Sequence, residues 1–141
     1  YTAPPNIILD INSIQQSSAV GSYCWPIDMD MMCADSFALP SPINPIKINR
    51  GDEVLLKYPM QNKINHMEYQ LKKITKNDES KSTQYSDSLA WQLPLENLIE
   101  MDLEEMNSLT INVEPGLYLL SLFGWWQGIG DASHGFLIEV E

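Results

Sequence analysis

The sequence predicts an all-β fold, a single antiparallel β-sandwich occupying residues 1–141 as one domain. Three observations carry that prediction. The stretch Ser108 to Glu141 reads as three consecutive strands. Over the whole chain, seven glycines and nine prolines cut the apolar residues into short runs, about eight strands in all. Strand patterns do not alternate with helical ones, which favours a sandwich over a parallel α/β layout.

Asn6 to Asn12 (NIILDIN) is the first strand, rich in β-branched residues and followed by turn formers. Ser13 to Ser22 is polar and predicts a connection. Ser22-Tyr23-Cys24-Trp25 predicts a short aromatic strand ended by Pro26, and Ile27 to Asp35 (IDMDMMCAD) an irregular loop. Ser36 to Pro45 carries Pro40, Pro42 and Pro45, so it is expected to run extended and to avoid the middle of a sheet. Ile46 to Ile48 and Val54 to Tyr58 flank Asn49-Arg50-Gly51-Asp52 and read as two strands around a turn. Val54, Leu56 and Tyr58 share one face. Arg50-Gly51-Asp52 also spells an integrin-type tripeptide, but Gly-Asp is good turn chemistry and that reading is preferred.

His66 to Ile74 alternates, with Met67, Tyr69 and Leu71 on one side. Asn77 to Ser88 is polar and predicts a solvated hairpin tip, and Leu89 to Leu93 a strand. Pro94 to Met106 supports two readings. Ile99, Met101 and Leu103 alternate as a strand does, whereas Leu95, Leu98 and Ile99 recur at helical spacing. A short helix or an edge segment is expected there. Leu109, Ile111 and Val113 alternate with polar residues until Glu114-Pro115-Gly116 stops the strand. Leu117 to Phe123 is apolar on both faces except at Ser121, which predicts a central strand covered on both sides. Gly124 to Ser133 is glycine-rich and reads as a loop, after which Phe136, Ile138 and Val140 restore alternation.

The formal charge is −11 with pI near 4.4, which disfavours nucleic acid as a partner. The densest basic run, Lys72-Lys73 with Lys76, is too small to offset it. No run is long enough to span a bilayer as a helix, so no integral membrane segment is expected. The opening YTAPPN reads as the start of a processed chain, which suggests a secreted or extracytoplasmic protein, membrane-anchored as a lipoprotein in its precursor. Cys24 and Cys33, with eight residues between them, favour a disulfide in that setting and would contribute about 2–3 kcal/mol. The alternative is two free buried thiols.

Trp125 and Trp126 fall in the predicted 124–133 loop, next to Gln127, Gly128, Gly130 and Asp131. Loop aromatics on a rigid sandwich contact partners, so Trp125, Trp126, Gln127 and Asp131 form the candidate binding site for a protein, peptide or glycan. Alternatively one or both rings fold back over the core. Met29, Met31 and Met32 between the cysteines invite copper(I), with His66, Met67 and His134 as additional ligands. A disulfide would remove both thiolates, so no metal and no cofactor is expected. The acidic group Glu96, Glu100, Asp102, Glu104 and Glu105 lacks the spacing of a calcium loop. Catalytic motifs are absent: no G-x-S-x-G, no H-E-x-x-H and no phosphate-cradling loop. Asp131, Ser133 and His134 are too close in sequence to point at one another as a triad, and no enzyme is expected.

The spelling L-x-I-x-V-x-P-G-x-Y-x-L-x-L over 109–122 resembles the E–F corner of immunoglobulin-like and fibronectin-type domains. Tyr118 stands where the corner tyrosine hydrogen-bonds back across the turn. Gly21 to Trp25 with Cys33 (G-x-Y-C-W…C) and the ending through Phe136, Ile138 and Val140 resemble uncharacterised secreted and lipoprotein sandwich domains of Gram-positive-like bacteria. The resemblance implies an immunoglobulin-like sandwich, the Cys24–Cys33 disulfide and an extracytoplasmic location, and it implies no catalytic residue. The expected function is a non-catalytic binding or protein-interaction module, such as the soluble part of a lipoprotein. Two alternatives remain: a protease inhibitor presenting residues 124–133 as a wedge, and a copper-handling protein using the Met/Cys loop.

Overall fold

A computed structural model describes residues 4–27, 29–35, 38–58, 64–94, 97–101 and 107–141. In chain order the first strands are β1 (Ile8–Ile11), β2 (Ile14–Ser17), β3 (Ala19–Ile27), β4 (Asp30–Ala34), β5 (Leu39–Ser41), β6 (Ile46–Ile48), β7 (Asp52–Lys57) and β8 (Ile64–Lys73). One helical turn, α1 (Lys76–Ser80), precedes β9 (Thr83–Gln84), β10 (Leu89–Trp91), β11 (Ile99–Glu100), β12 (Ser108–Ile111), β13 (Gly116–Trp126) and β14 (Gly130–Val140). The fold is all-β, as the sequence predicts.

These strands form three sheets. A four-stranded sheet has the order β12-β7-β1-β2, and a three-stranded sheet the order β5-β10-β9. Between them lies a seven-stranded sheet, β11-β8-β13-β14-β3-β4, with β6 joined to β14. Alternation along the central hairpin explains this layering. Tyr118, Leu120, Leu122, Phe136, Ile138 and Val140 face the four-stranded sheet, where Leu9, Val54, Leu56 and Ile111 meet them. Leu119 and Leu137 point the other way and pack with Leu39, Ile74, Trp91 and Leu93. Leu119 and Leu120 are 1% and 0% exposed, so the doubly apolar run is covered on both faces.

β14 is paired with β13 along its whole length, but its other edge changes neighbour. Asp131 to Gly135 pair antiparallel with β3, and Ile138 to Val140 pair parallel with β6. Gln16 fills the interval with its side-chain amide. The Leu137 N–H donates to Gln16 Oε1 at 3.1 Å, and Gln16 Nε2 donates to the Leu137 carbonyl at 2.9 Å. The amide thus completes the ladder as a peptide group would, which keeps these buried backbone groups paired. Next to it, the Ile7 N–H donates to Ser18 Oγ, which lies 2.9 Å from His134 Nδ1.

Several connections differ from expectation. The polar Ser13–Ser22 stretch is β2 and the start of β3, because Gln16 and Ser18 are buried hydrogen-bonding groups and not solvated ones. β3 runs through Pro26, and Ile27–Asp35 belongs largely to a hairpin with β4. Cys24 and Cys33 face each other across it with Cα atoms 4.1 Å apart, the close spacing of a non-hydrogen-bonded pair. By alternation the Pro26–Met31 pair is of the same kind, so the missing N–H of Pro26 costs no bond to β4. Asp28, Ser36 and Phe37 lie outside the described residues.

β6 and β7 are both strands, yet they sit in different sheets, and Asn49–Asp52 joins layers instead of closing a hairpin. Arg50 Nε donates to Asn112 Oδ1 at 3.3 Å and the Asn49 N–H donates to Asp52 Oδ2 at 2.8 Å, which fits the turn reading. The polar 77–88 stretch contains most of α1, started by a reciprocal cap in which Thr75 Oγ1 accepts from the Asp78 N–H and Asp78 Oδ2 from the Thr75 N–H. Of the ambiguous 94–106 stretch, Ile99–Glu100 is an edge strand on β8; residues 95–96 and 102–106 lie outside the described residues. The corner at 114–118 forms as its spelling suggests, the Tyr118 hydroxyl donating to the Glu114 carbonyl at 2.7 Å as the chain crosses between sheets.

Candidate functional site

The expected loop over 124–133 is mostly ladder. Trp126 pairs with Gly130, and only residues 127–129 turn. The glycines that suggest a loop serve close packing instead. A Cβ on Gly124 would come within 2.8 Å of the Met67 methyl and 2.7 Å of the Trp126 ring, and one on Gly130 within 2.1 Å of the Cys24 carbonyl oxygen. The long wedge that an inhibitor would present is therefore a three-residue turn, and that reading is not carried further.

Consecutive residues of β13 point to opposite faces. Trp126 enters the main core at 4% exposure, edge-on to Trp25 and His134 with ring centroids 5.9 Å away in both cases. It belongs to the core and presents no surface to a partner. Trp125 faces outward at 39% exposure. β8 supplies an extra residue here: Trp125 pairs with His66 and Trp126 with Ile64, so Asn65 has no counterpart.

The outer face of the seven-stranded sheet is covered at one end by β5, β9 and β10, and Trp125 stands at the other end. Direct pairing makes a row of His66, Trp125, Asp131, Cys24 and Cys33 across β8, β13, β14, β3 and β4. Paired residues share a face, so all five side chains emerge on the same side. The His66 ring lies 5.1 Å from the Trp125 ring, tilted by 55°. Its Nε2 is 3.0 Å from Glu68 Oε1 and its Nδ1 3.3 Å from Glu100 Oε1. These contacts hold the imidazole against one side of the indole. Asp131 is half-buried beside Trp125, and Gln127 is exposed in the turn.

The other candidates separate. Cys24 and Cys33 are joined in a disulfide, which leaves neither sulfur as a thiolate ligand. Met31 and Met32 are exposed neighbours on one strand and diverge to its two faces, while Met29 is in the turn. Among the described residues no three histidine, cysteine or carboxylate groups converge as a metal site. Of the proposed acidic group, Glu100 joins His66, whereas Glu96, Asp102, Glu104 and Glu105 lie outside the described residues. Ser133 and Asp131 share a face by alternation and His134 has the opposite one, so these three do not assemble. His134 meets Ser18 instead, a contact no local pattern could reveal. Ser18 is 3% and His134 1% exposed, and a substrate cannot reach them.

Comparison with protein-family models, with curated proteins and with solved structures finds no match for this chain. No described helix is long and apolar enough to cross a membrane. A separate groove of about 560 Å³ is lined by Tyr69 and Leu71 of β8, Ile99 of β11, and Leu109 and Ile111 of β12.

Proposed function

We propose that this protein is an extracytoplasmic, non-catalytic binding module that holds its partner on the uncovered end of the seven-stranded sheet. One observation carries the reading: Trp125 presents an indole to solvent from a residue laddered to a strand on each side. A rigid, pre-placed aromatic loses little freedom when a partner covers it, which is why such residues anchor interfaces. The Cys24–Cys33 disulfide supports an oxidising compartment, and the G-x-Y-C-W spelling supports the secreted or lipoprotein setting. An immunoglobulin-like topology belongs to the same reading, supported by the Tyr118 corner.

The test is a pair of arrays, one of peptides and one of glycans, probed with the wild-type protein and with Trp125→Ala. Ligands captured by the wild type and lost with the variant, at unchanged melting temperature, are the expected result. Arrays that bind nothing, or that bind both proteins equally, overturn the proposal.

A further inference from the structure

Building on that reading, we infer that the occupant of the Trp125 surface is a basic peptide segment whose arginine or lysine side chains lie on the indole and between the carboxylates around it. The chemistry of the row is one-sided. Glu68, Glu100 and Asp131 stand around Trp125 and His66, and among the described residues of the row and its contacts none is a lysine or arginine. An aromatic face bordered by carboxylates attracts a guanidinium or ammonium through both the ring quadrupole and charge. His66 occupies one side of the indole, and Asp131 lies across the strand pair from it, so a cation on the open side of the ring has a carboxylate within reach.

The spread of these groups favours a chain over a metal ion. Strands are spaced about 4.8 Å apart, so His66 to Asp131 spans about 10 Å and Glu100 lies one strand further out. Such a row cannot close around one ion, in keeping with the absence of a convergent metal group among the described residues. An extended peptide presents alternate side chains about 7 Å apart, which places two basic residues on either side of Trp125. The chain's formal charge of −11 draws such a segment from a distance and repels a second copy of the chain or a polyanion.

The experiment uses the full chain and an acetylated, amidated peptide alternating alanine with three arginines, with citrulline and glutamate versions as controls, read by calorimetry. The arginine peptide is expected to bind saturably, and raising sodium chloride from about 50 to 200 mM should weaken binding several-fold. Trp125→Leu keeps apolar surface but removes the π-face, and should weaken binding about tenfold. Asp131→Asn and Glu68→Gln should each weaken it about threefold, and they carry the test if the tryptophan variant does not fold. Glu53→Gln, an exposed change on the other sheet, should leave binding unchanged. Equal binding of the citrulline peptide, no binding of the arginine peptide, or an equal loss with Glu53→Gln overturns the inference. A neutral peptide or a glycan held through Trp125 on the arrays would overturn the cationic occupant while leaving the binding-module reading intact. Insensitivity to Trp125 in both experiments would overturn both.

Discussion

His134 is the residue whose chemistry the fold changes most. Its ring is 1% exposed, packed edge-on against Trp126 and held at Nδ1 by Ser18. Burial disfavours the imidazolium and pushes its pKa down to about 4. An unfolded chain protonates this residue below about 6.5, so between those values the unfolded state binds more protons and stability drops as the pH is lowered. The loss from pH 7 to pH 5 should be about 2 kcal/mol in urea unfolding, and His134→Asn, which keeps a polar atom near Nδ1, should remove most of that slope. A slope unchanged in the variant would assign the pH dependence elsewhere. Asp10 acts in a different window. Hydrogen bonds from Gln15 and Lys57 hold its carboxyl below the usual value of 3.8, so its contribution is present above that value and lost only as pH falls below it.

Among the elements, the partner change along β14 is the most exposed to a single substitution. Gln16→Leu fits the space but removes both bonds to Leu137, leaving a buried N–H and a buried carbonyl unpaired. Each such group costs about 1–3 kcal/mol, so the variant should lose about 2–6 kcal/mol and Gln16→Glu should recover only part of it. Equal stability of Gln16→Leu and wild type, by denaturant titration, would mean that water replaces the amide. The β3–β4 hairpin offers a second measurement. Replacing Cys24 and Cys33 together by alanine should cost about 2–3 kcal/mol, because the disulfide closes a short loop in the unfolded chain. Local sequence pattern revealed the strands built on β-branched alternation, including β1, β7, β12 and both ends of the central hairpin. It failed where a residue answers to a distant neighbour. Gly130 is a glycine because of Cys24, and Gln16 is buried because Leu137 lacks a strand beside it. The site was half legible for the same reason. Alternation implies that Trp125 and Trp126 diverge, but which one is buried depends on where the other sheets lie, and His66 and Glu100 reach the surface only through the pairing of β8 and β11.

Over the whole molecule, a charge of −11 on 141 residues makes self-repulsion a general term against compactness. Screening should relieve it: raising sodium chloride from about 20 to 500 mM is expected to lift the melting temperature by a few degrees. A fall would mean that ion pairs such as Lys57–Asp10 outweigh the repulsion. The three layers share one dependence. The seven-stranded sheet has β13 and β14 at its centre, and β8, β6 and the β3–β4 hairpin all attach to that pair. Of the fourteen strands among the described residues these two are synthesised last. While the ribosome adds about 5–20 residues per second, the β3–β4 hairpin and the β8–β11 pair wait without the strands that join them to one another. The seven-stranded sheet consequently closes only when residue 140 is available, so a chain cut short of its last strand would hold hairpins without a centre and could not bury either core.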